Sequence, residues 1–149
     1  MNSIETYHSF DILEGMVRTG YYAKAKTYNN PVCISRVNKG GFPEIPELAP
    51  LFQILNSYKY VNHDEKAYVQ SYEEQLDNIN WDRVCRRCAE MLKQGPITLL
   101  CFEKPGAFCH RHAAAERLSR ELVRRGILTE DQISSPSERI ADEQPSLFD

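Results

Sequence analysis

The most reactive group of side chains in this chain lies between residues 97 and 112. An apolar run at 97–102 is followed by a Pro-Gly loop and then by Cys109, His110 and Arg111, where a helical pattern begins. This order predicts a strand, a loop and a helix start. Unpaired backbone N–H groups and the helix dipole favour negative charge at such a start and increase the thiolate fraction of a cysteine there. The segment is therefore predicted to bind an anion or to present a nucleophile.

Three residues of this segment are candidates for catalysis. Cys109 would be the nucleophile or a ligand contact, and His110 would transfer a proton or orient the ligand. Glu103 follows the apolar run directly, where it could orient an arginine or act as a general base. The alternative reading makes Cys109 a small buried apolar residue and His110 a helix-capping residue, and the sequence leaves both readings open.

A second polar pair predicts the other half of an anion site. Ser35 and Arg36 end the β-rich run 31–37, and ligands of open α/β sheets bind beyond the carboxyl ends of strands. If the two strands are near neighbours, Ser35, Arg36 and Arg111 would grip a phosphate beside Glu103 and Cys109. The alternative is an ordinary ion pair between Arg36 and Glu103 at the edge of the sheet.

The sequence does not favour a metal site or a bound cofactor. Zinc-ligand residue types cluster near the loop, but their spacing fits no standard zinc pattern: Cys101, Cys109, His110 and His112. Cys85 and Cys88 form a C-x-x-C inside a predicted helix, where they extend its apolar stripe and are expected to pack in the core. We therefore expect neither a metal nor a cofactor.

The elements that would position these residues alternate between strand and helix. Besides the two apolar runs, helical spacing predicts four helices, at about 48–55, 64–76, 80–93 and 109–125. Residues 7–10 and 20–25 could each form a short strand. This alternation predicts an α/β fold, a three-layer, Rossmann-like arrangement with a mostly parallel sheet in one domain over 1–133.

Composition restricts the class of protein. The chain has 149 residues, a net charge of −3 and 42% hydrophobic residues, as is usual for a globular protein. It shows neither a long apolar run nor a signal-peptide pattern, and five irregularly spaced cysteines suit a reducing compartment better than a disulfide framework. We expect a cytoplasmic protein with no membrane association. Arginines along the last helix could face nucleic-acid phosphates, although such a face is more often only solvated.

The segment Leu-Cys-Phe-Glu at 100–103, followed by Cys-His-Arg at 109–111, resembles the signature of the domain-of-unknown-function family 488 (DUF 488). Upstream features similar to that family occur in the same order: Tyr21-Tyr22-Ala23-Lys24, the Ile34-Ser35-Arg36 strand end, Leu48-Ala49-Pro50, and Tyr68 with Tyr72. The resemblance covers about residues 20–125. It implies an α/β domain with Ser35-Arg36 and Cys109-His110-Arg111 as shared polar positions, and it implies no particular reaction.

Residues 134–149 are predicted to form a flexible acidic tail. Gln144, Leu147 and Phe148 in this tail resemble the peptide by which bacterial replication and repair proteins dock on the DNA sliding clamp. Such a tail can insert two apolar side chains into a groove while the glutamine sets the register. The alternatives are a chance pentapeptide or a Leu-Phe pair that folds back on the domain.

Two functional hypotheses follow from these features. The first is a small protein with an anion pocket for a phosphate-bearing nucleotide or nucleic-acid end; if it is an enzyme, it would use cysteine chemistry or process nucleotides. The second is a non-catalytic adaptor that docks on a sliding clamp or on nucleic acid through its tail.

Overall fold

A three-stranded parallel sheet forms the centre of the fold. The computed structural model describes Tyr7, residues 11–102 and residues 108–133. The strands are β1 (Val17–Tyr21), β2 (Pro31–Cys33) and β3 (Ile97–Cys101), in the spatial order β1-β3-β2. All five residues of β3 are buried, which explains why its sequence is a continuous apolar run without alternation.

The strand register confirms that the two predicted apolar runs are neighbours. β2 pairs in parallel with β3, with Val32 opposite Leu99 and Cys33 opposite Leu100. The segments that follow Cys33 and Cys101 therefore leave the sheet at the same edge. This adjacency is the condition under which the sequence predicted a shared pocket.

Between residues 11 and 133, the described part of the chain contains four α-helices. Helix α1 (Phe52–Ser57) continues into a π-helical turn (Tyr58–Asn62), and α2 (Glu65–Asp77), α3 (Trp81–Leu92) and α4 (Arg111–Arg124) follow. Asp64 caps α2 by accepting from the Ala67 N–H at 3.1 Å, and Asn80 caps α3 by accepting from the Arg83 N–H at 3.0 Å. The predicted α/β class and the three longer helices are confirmed.

The core is formed by the sheet and the helices packed on it. Helix α4 packs on β1, on β3 and on α3, and its Ala113–Ala115 stretch is buried against them. Cys85 and Cys88 of α3 are buried free thiols in this core. The prediction that this C-x-x-C is a packing feature is confirmed.

The first predicted strands are misplaced. Tyr7 is helical, and residues Tyr22–Thr27 form a 3₁₀ helix, whereas the actual strand lies just before it, at Val17–Tyr21. A side chain at Gly20 would collide with the Tyr28 ring, so the chain folds back tightly here. β2 is also shorter than predicted: its last contact with β3 is the Ile34 N–H donating to the Leu100 carbonyl, while the Cys33 N–H donates to Pro43 and the Cys33 carbonyl accepts from Ile45.

Among the described residues, no helix combines the length and apolar character needed to cross a bilayer. The predicted tail, 134–149, lies outside the described residues, so its boundary and its flexibility stay predictions.

Candidate functional site

A cavity of about 140 Å³ lies where β2 and β3 end. Its walls come from the turn after β2, from α1 and the π-helical turn, from α2, and from both sides of the β3–α4 connection. The lining residues are Ser35, Arg36, Val37, Pro50, Leu55, Tyr58, Lys59, Tyr68, Cys101, Phe102, Phe108, Cys109 and His110.

The structure brings together four of the six predicted pocket residues. Ser35 and Arg36 reach the cavity from the end of β2, and Cys109 and His110 reach it from the start of α4. They meet because β2 and β3 are parallel neighbours, as the strand register shows. The fifth, Glu103, lies outside the described residues.

Arg111, the sixth, is not among the residues that line the cavity. Its side chain is fully buried, and its Nε donates to Asp11 Oδ1 at 2.7 Å. Its Nη1 donates to Cys101 Sγ at 3.0 Å. The first turn of α4 thus directs this guanidinium towards a buried carboxylate. Arg111 was predicted to bind a ligand in the cavity directly, but in this arrangement it does not line the cavity.

Cys101 and Cys109 are joined in a disulfide, which the sequence analysis did not anticipate. Irregular spacing along a chain carries no information about which cysteines the fold brings together. Cys101 ends β3 and Cys109 precedes α4, so the bond joins the end of β3 to the start of α4. The remaining cysteines, Cys33, Cys85 and Cys88, are free thiols.

His110 is held as a neutral imidazole. Its Nε2 lies 2.7 Å from the carbonyl oxygen of Ile34, and because a carbonyl only accepts, Nε2 must carry the proton. Burial, aided by the nearby Arg111 charge, lowers the pKa of His110 to about 4. Its Nδ1 is therefore an unprotonated acceptor, and it lies 3.7 Å from Cys109 Sγ. His110 occupies the N-cap position of α4, as the alternative interpretation expected, but its side chain makes no capping bond.

Ser35 and Arg36 form the polar side of the cavity. The Ser35 hydroxyl donates to the Val37 carbonyl at 2.7 Å and lies 3.1 Å from the Tyr22 hydroxyl. The Arg36 guanidinium stands over the Phe52 ring, 5.7 Å from its centroid, and makes a 3.5 Å contact with the Pro50 carbonyl. Arg36 is exposed, so its charge faces both the cavity and solvent.

An aromatic wall and a second cation, neither predicted from the sequence, also line the cavity. Phe108 stacks on Tyr58 with centroids 5.1 Å apart and meets Tyr68 edge-on at 5.2 Å. Lys59, on the same π-helical turn as Tyr58, adds a second exposed cation to the lining. In the sequence, the four-residue spacing of Tyr68 and Tyr72 on α2 indicated an aromatic face. No local pattern identified Tyr58 or Lys59 as residues of the site.

Three ligand-type atoms meet at this site. Cys101 Sγ, Cys109 Sγ and a His110 ring nitrogen all lie within 4.8 Å of one another. Sulfurs joined in a disulfide are not thiolates, and thiolates are what zinc requires from cysteine. The Arg111 cation 3.0 Å from Cys101 Sγ also opposes a second positive charge there. The residues in this state do not fit a metal, and the absence of a metal stays a prediction.

Most arginines on α4 already have carboxylate partners. Arg117, Arg124 and Arg125 all contact Glu121, Arg117 also pairs with Asp77, and Arg125 also pairs with Asp82. A helix whose cations are paired in this way offers little uncompensated charge to nucleic-acid phosphates. The solvated-face interpretation is the better one for this helix.

The comparison with known families matches residues 26–122 to the model of the active DUF488-N3 subclade, DUF488-N3a. The match covers more than half of the chain and includes every described residue of the predicted site. The chain belongs to the DUF 488 family. No curated protein and no solved structure matches it significantly. The family resemblance inferred from the Cys-His-Arg signature is thereby confirmed.

The buried pair in this DUF 488 protein is expected to be a major contribution to stability. Asp11→Asn leaves the Arg111 charge uncompensated in the interior, and we expect a loss of about 3–5 kcal/mol in the free energy of unfolding. Asp82→Asn is the matched control, because it breaks an exposed pair with Arg125 and should cost less than about 1 kcal/mol. Urea denaturation of both variants measures the difference; equal losses would contradict the assignment.

His110 should make stability depend on pH. Its folded-state pKa of about 4 lies below the usual 6.5, so the unfolded chain binds a proton that the folded chain does not. Stability is therefore expected to decrease as pH falls from about 6.5 to about 4, with no contribution above that window. His110→Gln keeps a donor for the Ile34 carbonyl but cannot titrate. Denaturation curves between pH 7.5 and 4 should show a shallower loss for this variant; parallel curves would refute the neutral-histidine assignment.

Proposed function

We propose that the cavity binds a phosphate-bearing nucleotide, free or at a nucleic-acid end, and that its cysteine–histidine group acts on that ligand. One observation carries the proposal: the exposed cations, the aromatic rings and the Cys109–His110 pair all line a single cavity. The description of the matched subclade as active supports an enzymatic role.

The cations provide the recognition of the anion. Arg36 and Lys59 come from different elements and both line the cavity while remaining exposed. A guanidinium offers two parallel N–H donors to a phosphate, and a lysine adds a mobile point charge. Ser35 adds a hydroxyl between them and the sheet. With Arg111 neutralised by Asp11, these exposed cations carry the attraction for phosphate.

The aromatic wall provides the recognition of a ring. Tyr58, Tyr68 and Phe108 present ring faces and edges beside the two cations. Stacking of a base on an aromatic side chain contributes about 1–3 kcal/mol and tolerates any base. A cavity of about 140 Å³ has room for one ring or one phosphate group, so the remainder of the ligand would lie at the open mouth.

The chemistry requires the cysteines in their reduced form. The Cys109 thiol then faces His110 Nδ1, which is placed to accept its proton. The thiolate would attack phosphorus, so that a P–S bond forms while the P–O bond to the leaving group breaks. Because a pKa of about 4 disfavours a standing imidazolium, the thiol proton would pass through His110 Nδ1 to the leaving oxygen as the P–O bond breaks, and water then cleaves the P–S bond and restores the thiol. Glu103, outside the described residues, stays a candidate for activating that water.

The adaptor hypothesis rests on the tail. Gln144, Leu147 and Phe148 lie outside the described residues, and the paired arginines of α4 leave that helix little attraction for nucleic acid. Docking on a sliding clamp therefore stays a prediction from the sequence, as does a cytoplasmic location.

Nucleotide binding can be measured directly by titration calorimetry on the reduced protein. Adenosine monophosphate should bind more tightly than adenosine or inorganic phosphate alone, because only the monophosphate engages both walls. Arg36→Gln with Lys59→Gln should weaken the monophosphate at least about tenfold, equivalent to about 1.4 kcal/mol, and should leave adenosine unchanged.

The matched control removes one arginine and one lysine elsewhere on the surface. Arg83→Gln with Lys93→Gln changes the net charge equally, and neither residue lines the cavity. This control should bind like the unmodified protein. No detectable binding of any nucleoside monophosphate at millimolar concentration, or equal weakening by both double variants, would overturn the proposal.

A further inference from the structure

We propose that the Cys101–Cys109 bond is an exchangeable disulfide and that the cavity is the place where a small anionic thiol opens it. Cys101 departs as a thiolate held by Arg111, and Cys109 becomes available as the nucleophile. This inference rests on the proposed function, because it makes the redox state of the pair the switch of that site.

Access to the bond is the first condition for exchange. Both cysteines line the cavity, so the disulfide faces a space that a small thiol can enter. All five cysteines are buried, and of these Cys101 and Cys109 line the cavity whereas Cys33, Cys85 and Cys88 do not. Of the cysteines in this chain, only the bonded pair is placed to meet a ligand.

The hydrogen bonding of Arg111 favours the reduced state. Its Nε is satisfied by Asp11, but its Nη1 meets only the weakly accepting sulfur of Cys101, and its buried Nη2 has no hydrogen-bond partner within the described part of the chain. Buried unsatisfied donors are unfavourable, and a thiolate is a far stronger acceptor than a disulfide sulfur. Reduction therefore supplies this guanidinium with the anionic partner it lacks.

The same contact determines which sulfur leaves. Exchange is faster when the departing thiolate is stabilised, and Cys101 has the cation beside it. Cys109 lies instead beside the neutral acceptor Nδ1 of His110. The incoming thiolate should therefore attack Cys109 and displace Cys101.

The charge of the cavity defines the thiol it accepts. Arg36 and Lys59 attract an anion to the mouth, so a thiol that carries a carboxylate or sulfonate is favoured over a neutral one of the same size. The small peptide thiols that cells use as redox buffers carry such carboxylates. The proposed reductant class is thus a small anionic monothiol.

The reaction balances in two exchanges. The first thiolate forms a bond to Cys109 Sγ as the Cys101–Cys109 bond breaks, and Cys101 keeps the electron pair. A second thiolate then attacks the sulfur of the bound thiol, so that Cys109 leaves with the electron pair and takes a proton from solvent. Two small thiolates become one small disulfide, and the protein gains two electrons as its disulfide becomes the Cys101 thiolate and the Cys109 thiol.

The reaction can be followed by mass spectrometry, which counts the cysteines that an alkylating reagent has labelled. The oxidised protein, alkylated under denaturing conditions after an acid quench, should carry three labels on Cys33, Cys85 and Cys88, and the reduced protein should carry five. The folded protein is mixed with 2-mercaptoethanesulfonate or with 2-mercaptoethanol, which differ in charge but little in size. At low ionic strength, and at equal thiolate concentration, the sulfonate should open the bond roughly three- to tenfold faster.

Two sets of variants test separately the role of the cavity cations and the difference between the two sulfurs. Arg36→Gln with Lys59→Gln should abolish the preference for the sulfonate, whereas Arg83→Gln with Lys93→Gln should keep it. Cys109→Ser and Cys101→Ser each leave one site thiol, so their pH-dependent alkylation compares the two without altering Arg111. Cys101 in the first variant should reach half-maximal alkylation at a lower pH than Cys109 in the second.

The inference is overturned if the disulfide opens only when the chain unfolds, if charged and neutral thiols react at equal rates, or if Cys109 is alkylated at the lower pH. Adenosine monophosphate binding is also measured on the Cys101→Ser, Cys109→Ser double variant, which cannot form the disulfide. Nucleotide binding and disulfide exchange are thereby tested independently. Exchange as described without nucleotide binding overturns the proposed function alone. Nucleotide binding with an inert disulfide overturns this inference alone.

Discussion

The buried ion pair between Asp11 and Arg111 connects β1, β3 and α4 behind the site. Asp11 also accepts from the Thr19 hydroxyl at 2.8 Å, and that hydroxyl accepts from the Ile12 N–H at 2.8 Å, so the carboxylate is tied to β1 and to the segment before it. Arg111 opens α4 and contacts Cys101 at the end of β3. A single charged pair, excluded from water, thus joins β1, β3 and α4, and removing either partner would leave an isolated charge in the core.

This pair also determines the electrostatics of the cavity. A first-turn arginine would ordinarily add its charge to the helix dipole and attract an anion. Here Asp11 compensates that charge, so the uncompensated positive charge that lines the cavity is that of Arg36 and Lys59 at the exposed side. Burial and Arg111 keep His110 neutral and lower its pKa to about 4, so the interior side of the cavity offers acceptors and sulfur chemistry rather than positive charge.

Local sequence patterns predicted much of the fold because they report local physics. The apolar run of β3 and the helical stripes of α2, α3 and α4 encode burial directly, and the parallel pairing of β2 with β3 then brought Ser35 and Arg36 to Cys109 and His110. The pairing of Asp11 with Arg111 could not be predicted in this way, because 100 residues separate the partners and no pattern marks residue 11. The disulfide and the contribution of Lys59 were missed for the same reason: each depends on the three-dimensional arrangement of elements rather than on any one of them.

In the proposed function, the two sides of the cavity divide recognition from reactivity. Exposed cations can exchange water for a phosphate or carboxylate at little cost, since they remain solvated when the ligand leaves. The buried disulfide and imidazole are held by backbone and side-chain contacts inside the fold, as the Ile34 carbonyl holds His110. Under the proposed function a ligand would bridge both sides to react, so that charge would select the molecule and the interior would carry the chemistry. Because Arg111 meets both the carboxylate that stabilises the fold and the sulfur that would react, a change in the redox state of the cysteines alters the hydrogen bonding of the same ion pair that holds β1, β3 and α4 together.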